Sequence, residues 1–138
     1  MATFKSVAYL APRYAHYVQT AAAGTCPDAY IFVADDYYQV VEVRYRHSVA
    51  GGSNAAADVK KVASGTALAS GTSVLASACD LTATADTNYT KTLSTTAAAL
   101  QLAPGDALAV DTSGTLTNLA GVCVQVVLKP TRVSALVR

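Results

Sequence analysis

The chain has 138 residues and a mass of 14.1 kDa, the size of one ordinary domain with a single core. Hydrophobic residues make up 52% and charged residues only 14%, against a usual charged share of roughly 25%, which excludes a disordered tail. Ten Lys and Arg against nine Asp and Glu leave a net charge of +1, without the basic excess that proteins use to neutralise nucleic-acid phosphates.

Residues 1–28 are aromatic and irregular. Val7, Leu10, Tyr14 and Tyr17 have helical spacing, but Pro12 falls inside that window and breaks a helix there. The segment is expected to be an extended arm with at most one short helix. Residues 29–129 carry a β pattern. Tyr30 to Ala34 is a short apolar run suited to a buried strand, and Val40 to His47 alternates. In that alternation Val41, Val43 and Tyr45 face the core, while Glu42, Arg44 and Arg46 face water. Gly51-Gly52-Ser53-Asn54 is a turn, and Ala57 to Ala63 returns as a strand. Residues 64–72 form a loop. Short strands follow at residues 73–81, 87–93 and 100–102, and Pro104-Gly105-Asp106 turns the chain. Ala107 to Asp111 is a strand, Thr112-Ser113-Gly114 a turn, and Gly121 to Lys129 the last strand, with Val122, Val124 and Val126 on its core face. Pro130 ends it, and residues 130–138 form a tail that carries Val133, Leu136 and Val137. Many short strands between turn signals predict an all-β antiparallel sandwich, with a jelly roll as its expected form.

The titratable inventory is thin. His16 and His47 are far apart, and His47 shares the face of Val43 and Tyr45, the position of a rim or core residue. Asp35-Asp36 is the one adjacent acidic pair; paired carboxylates can hold calcium or exchange protons, but a polar turn is the expectation for Asp between two strands. Asp111-Thr112-Ser113-Gly114 lacks the further acids of a metal loop. Cys26, Cys79 and Cys123 are odd in number and widely spaced, which fits neither a disulfide framework nor a paired-cysteine zinc site; they read as small buried hydrophobes. Lys60-Lys61 is too small for a nucleic-acid patch. Arg44 and Arg46, with Glu42 beside them, suit a solvated face or interface as well as a phosphate site. Phosphate-binding glycine motifs are missing. No apolar run is long enough for a transmembrane helix and the start does not read as a signal peptide, so no membrane partner is expected. The expectation is a protein without catalysis, metal or other cofactor.

Four stretches carry a family resemblance: Val43-Arg44-Tyr45-Arg46-His47 before a Gly-Ser-Asn turn; Ser70-Gly71-Thr72-Ser73-Val74-Leu75-Ala76-Ser77; Leu102-Ala103-Pro104-Gly105-Asp106-Ala107-Leu108; and Gly114-Thr115-Leu116-Thr117-Asn118-Leu119-Ala120-Gly121-Val122. As an ordered set they resemble the small jelly-roll decoration, or cement, proteins on the heads of tailed double-stranded-DNA phages. The resemblance spans about two thirds of the chain, Val40 to Lys129. It implies a structural virion protein, made in the host cytoplasm and placed on the outer capsid surface, that bridges neighbouring major capsid subunits. It identifies no catalytic residue. The expected partners are the major capsid protein and a second copy of the chain, a homodimer ahead of a homotrimer; neither nucleic acid nor a membrane is expected. The apolar ends lie outside the resemblance, and Phe4, Tyr9, Tyr14, Tyr17, Val133, Leu136 and Val137 are the candidate contacts. The alternative is a carbohydrate-binding sandwich, a phage adhesin, with Tyr37, Tyr38 and Tyr89 as stacking platforms.

Overall fold

The computed structural model describes residues 11–131. Its strands are β1 (Arg13–Val18), β2 (Ala29–Val33), β3 (Tyr38–Arg46), β4 (Ala56–Val62), β5 (Thr72–Ser73), β6 (Cys79–Asp80), β7 (Tyr89–Thr90), β8 (Gln101–Leu102), β9 (Ala107–Ser113) and β10 (Cys123–Pro130). They form two antiparallel sheets. One runs β1-β10-β3-β7 with β8 also on β3, and the other β2-β9-β4-β5 with β6 also on β4. The protein is an all-β sandwich. Its pairing nests like one long hairpin: β1 with β10, β2 with β9, β3 with β7 and β8, β4 with β5 and β6. The hairpin is then rolled, so that β10 also pairs with β3 and β9 with β4.

Alternation drives this arrangement. Val124, Val126 and Leu128 of β10, and Val122 just before it, are all fully buried, and they face Ala57, Val59, Leu108 and Val110 of the other sheet within one core cluster. Each such side chain contributes roughly 1.5–3 kcal/mol relative to exposure. Strand β3 departs from strict alternation. Its register with β10 shifts between Val127, opposite Glu42, and Leu128, opposite Val40. The extra residue is Val41, a β-bulge that lets Val40 and Val43 both point inward. Val41, expected in the core, is therefore 38% exposed. Val43, Tyr45, Val122, Val124 and Val126 are core residues as the alternation predicts.

The N-terminal segment departs from expectation more strongly. Residues 13–18, assigned to an arm, form β1, paired with β10 from Arg13 opposite Leu128 to Val18 opposite Cys123. Ala15 and Tyr17 enter the core. The Tyr17 hydroxyl donates to the Pro27 carbonyl at 2.7 Å and lies 3.1 Å from Cys26 Sγ. The Gln19 amide donates to the carbonyls of Thr25 and Leu119, which ties the following loop down. Hydrophobic edge docking thus outweighs the irregular local pattern, and the domain takes in residues the arm was to hold. Residues 1–10 of that arm lie outside the described residues. At the other end, β10 runs through Pro130, buried opposite Tyr38, rather than stopping before it. Proline is tolerated there because a strand's last residue can do without its ladder donor.

Two connections carry the stretches behind the resemblance. In 103–106, the Asp106 carboxylate accepts from the Ala103 N–H, while the Gly105 N–H donates to the Ala34 carbonyl and the Ala34 N–H to the Asp106 carbonyl. In 114–121, Gly114 has φ +79°, and a Cβ there would lie 2.0 Å from the Asn54 carbonyl oxygen. The expected turn at Thr112-Ser113-Gly114 starts later, because Asp111, Thr112 and Ser113 stay in β9 opposite β4. There Asp111 meets Lys60 Nζ at 2.6 Å, under the loop whose Ala69 carbonyl the same ammonium reaches.

The bulge makes a sharp contrast available. Val43→Asp buries an unpaired charge and should cost several kcal/mol, enough to unfold a domain of ordinary stability. Val41→Asp, two residues away but facing water, should cost less than about 1 kcal/mol. Urea unfolding of both variants checks this, and equal losses would contradict the bulge.

Candidate functional site

The outer face of the sheet β1-β10-β3-β7 gathers the chain's polar side chains into rows. Because inward positions are apolar, each strand turns its alternate residues to this face. The register aligns them: Tyr14, Val127 and Glu42; then His16, Gln125, Arg44 and Thr90; then Val18, Cys123 and Arg46. A shallow concavity of about 440 Å³ lies over the middle of these rows, lined by His16, Glu42, Arg44, Arg46, Asn88, Thr90, Cys123 and Gln125.

Its electrostatics are balanced. Arg44 Nη2 donates to Glu42 Oε1 at 2.7 Å, which raises the Arg44 guanidinium above its ordinary value. Arg46 is held more loosely, with Asn88 Oδ1 at 3.4 Å and Asp86 Oδ1 at 4.0 Å. The Gln125 amide donates to His16 Nε2 at 3.0 Å. Both arginines are half exposed.

A second feature lies at the edge of the sandwich. Strands β1 and β2 end their respective sheets side by side, and between them runs a groove of about 210 Å³ lined by Tyr17, Val18, Pro27, Tyr30 and Ile31. Tyr14, Val18, Tyr30 and Val33 stand out along these two strands at 52 to 66% exposure. The β1 backbone is also open. Gln19 N–H donates to the Val122 carbonyl, and bonded positions alternate in an antiparallel ladder. Tyr17, Ala15 and Arg13 therefore face β10, and Tyr14, His16 and Val18 turn their N–H and C=O groups outward.

Of the predicted contact residues, Tyr14 lies on the open face and Tyr17 in the core. Three residues apart on a strand, they point to opposite sides, so they cannot form one contact surface. Phe4, Tyr9, Val133, Leu136 and Val137 lie outside the described residues. His47 is a core residue: its Nε2 meets the Ala83 carbonyl at 3.0 Å and its ring stacks on Tyr45, with Nδ1 unpartnered. Asp35 and Asp36 serve the bend before β3, where Asp35 accepts from the Tyr38 hydroxyl and Asp36 from the Tyr37 N–H. Among the described residues no group of three or more His, Cys, Asp or Glu side chains could hold a metal, and no helix is long and apolar enough to cross a membrane. Tyr38 is buried, and one face of the half-buried Tyr89 ring is taken up by stacking on Tyr45 at 5.0 Å. Cys26 and Cys79 are buried as expected, but Cys123 is half-buried on the open face. Asn88-Tyr89-Thr90 stands in the sequence only as an N-glycosylation pattern, and neither it nor Gln125 carries a motif there for this face. The alternation around Val124 and Val126 places Gln125 outward, whereas Asn88 and Thr90 join the site only through the β3–β7 register.

Burial pushes the Tyr38 and Tyr45 hydroxyls up to about 12 from an ordinary 10.0, and the Asp35 hydrogen bond adds to the shift at Tyr38. Burial likewise raises the Cys79 thiol to about 12 from 9.0, and carries Tyr17 higher still. The fold thus favours the protonated forms. Their contribution is complete below the unfolded values and lost as pH rises through the folded ones, so stability should fall steeply between about pH 10 and 12. Absorbance of ionised tyrosine should rise together with unfolding, and flat stability across that window would contradict it. In the native protein at neutral pH a thiol reagent should modify Cys123 first and reach Cys26 and Cys79 only on unfolding.

No protein-family model, no curated protein and no solved structure matches this chain.

Proposed function

We propose that the chain is a structural protein that decorates the outer surface of a tailed-phage head and stabilises it by bridging neighbouring major capsid subunits. The observation that carries this reading is the open edge of the sandwich. Soluble β-proteins guard their edge strands with lysine, proline or bulges. Here, among the described residues, β1 has no strand on its outer side and leaves backbone donors and acceptors free beside exposed Tyr14 and Val18, and Tyr30 of β2 lines a groove with Val18. An extended segment of a capsid subunit can add to β1 as a further strand, with the apolar side chains giving area and the backbone giving register. The nested, rolled pairing of the two antiparallel sheets is compatible with the jelly-roll form that the resemblance implies and supports the same reading.

The same edge accommodates a second copy. Two β1 strands paired antiparallel around His16 put Tyr14 opposite the partner's Val18 on either side of a two-fold axis. That symmetry favours a homodimer over a homotrimer. Grip of this kind is purely structural and calls for no catalyst or cofactor.

The test is saturable binding to undecorated heads of the encoding phage, read together with survival of the heads on heating. Val18→Lys places a charge at the centre of the apolar edge and should weaken binding about tenfold or more, because it removes the burial of one aliphatic side chain. Failure of the unmodified protein to bind heads would overturn the proposal, and so would unchanged binding by the Val18→Lys variant.

A further inference from the structure

Edge docking leaves the concavity on the open sheet face unused, and its chemistry is of a different kind. We propose that this face binds a carboxylate-bearing sugar unit of an acidic polysaccharide. The inference is independent of capsid docking.

Arg46 is the anchor. Its guanidinium offers five donors in a planar fork, suited to a carboxylate. Its contacts in the fold are long, 3.4 Å to Asn88 and 4.0 Å to Asp86, so its donors are weakly engaged. Arg44 is the next residue outward on β3, about 7 Å along the strand, and it holds Glu42 at 2.7 Å. Around the two arginines stand groups that read hydroxyls. Glu42 accepts, the amides of Asn88 and Gln125 both donate and accept, and Thr90 does both. A sugar ring presents hydroxyls that need such a mixture, whereas a phosphate needs donors alone. The volume, about 440 Å³, lies in the range of pockets that hold small organic ligands.

Charge narrows the ligand further. Arg44 and Arg46 are offset by Glu42 and Asp86, so the four formal charges cancel. A polyanion such as nucleic acid finds no long-range attraction here, and an acidic peptide meets Glu42 and Asp86 with its own closely spaced carboxylates. One carboxylate flanked by hydroxyls fits best: it takes Arg46 and leaves the Arg44–Glu42 pair intact.

The experiment titrates the full chain with oligogalacturonate and with oligosialate, using calorimetry and amide chemical shifts. Carboxyl-reduced forms of both oligomers and a hexaglutamate peptide serve as comparators. Saturable binding of at least one acidic oligosaccharide is expected, with shifts at Arg46, Asn88, Thr90 and Gln125. Carboxyl reduction and Arg46→Gln should each weaken it about tenfold or more, the loss of a charge-assisted bond. Thr90→Val, which removes the hydroxyl paired beside Arg44, should weaken it several-fold. Binding of neither acidic oligosaccharide overturns the proposal. Equal affinity for the reduced forms, equal or tighter binding of hexaglutamate, or full affinity in a folded Arg46→Gln variant does so as well. Head binding by the same variant tests the capsid reading separately.

Discussion

Strand β10 is hydrogen-bonded on both sides, to β1 and to β3, and every second residue from Val122 to Leu128 is fully buried. It holds the chain's first described strand and its longest one in a single sheet. Val124, Val126 and Leu128, with Val122 just before the strand, form much of the floor of the core. Losing its register by one residue would turn Val122, Val124, Val126 and Leu128 to water and bring Cys123, Gln125 and Val127 into the core. That penalty, several kcal/mol on transfer grounds alone, fixes the register tightly. The fixed register in turn decides what the outer face presents. Gln125 sits between His16 and Arg44, and Cys123 between Val18 and Arg46, because β10 cannot slide. The bulge opposite Val127 is part of the same constraint. It lets β3 keep Tyr38 and Val40 inward at one end and Val43 and Tyr45 inward at the other, while Glu42 stays beside Arg44.

Most of this fold was legible where alternation runs long enough to be seen. Strands β3, β4, β9 and β10 stand in the sequence nearly at their observed places, as do the turns at Gly51–Asn54 and Pro104–Asp106. Strand β1 was hidden because only Ala15 and Tyr17 point inward, and a tyrosine at each of positions 14 and 17 mimics helical spacing. Its strand character comes from β10, a partner more than a hundred residues away in sequence. Val41 was misread because a bulge leaves the local pattern of apolar residues unchanged and alters only which of them faces in. Between residues 73 and 93 the sequence pattern places short strands at 73–81 and 87–93. The chain there holds only the short pairs Thr72–Ser73, Cys79–Asp80 and Tyr89–Thr90, joined by side-chain-stabilised bends such as Leu75 N–H to Ser73 Oγ and Thr82 to Asp80. The candidate site was half legible. Glu42, Arg44 and Arg46 show their shared face in a strand of clear period, whereas Asn88, Thr90 and His16 reach it through tertiary pairing alone.

The scarcity of charge has a structural counterpart. Lys60 is paired with Asp111 beneath a loop, Lys61 reaches the carbonyls of Ala98 and Gln101, and Asp106 and Asp80 cap their own turns. Hydrogen bonds from the Thr82 hydroxyl and N–H hold the Asp80 carboxyl below its usual range. Many of the charged groups thus serve local geometry, and much of the remaining polar surface comes from small residues, Thr and Ser above all. A surface made this way has little electrostatic protection against association. The edge with Tyr14, Val18, Tyr30 and Val33 is where that lack of protection is concentrated.

The edge and the open face meet at one residue. His16 lines both the groove between β1 and β2 and the concavity over β3 and β10. Its backbone groups belong to the free edge, while its ring is bonded to Gln125 on the face. A strand added to β1 would extend the sheet past His16 and give the concavity a further wall, built by the partner. Under the two proposals the sites are therefore neighbours in one sheet rather than separate surfaces. Any change in the His16–Gln125 contact on docking would alter affinity on the face, and linkage requires that occupancy of the face alter docking by the same factor. A rigid sheet carries such an effect without a conformational change elsewhere, because the ladder between β1 and β10 fixes the distance between the edge and the arginines.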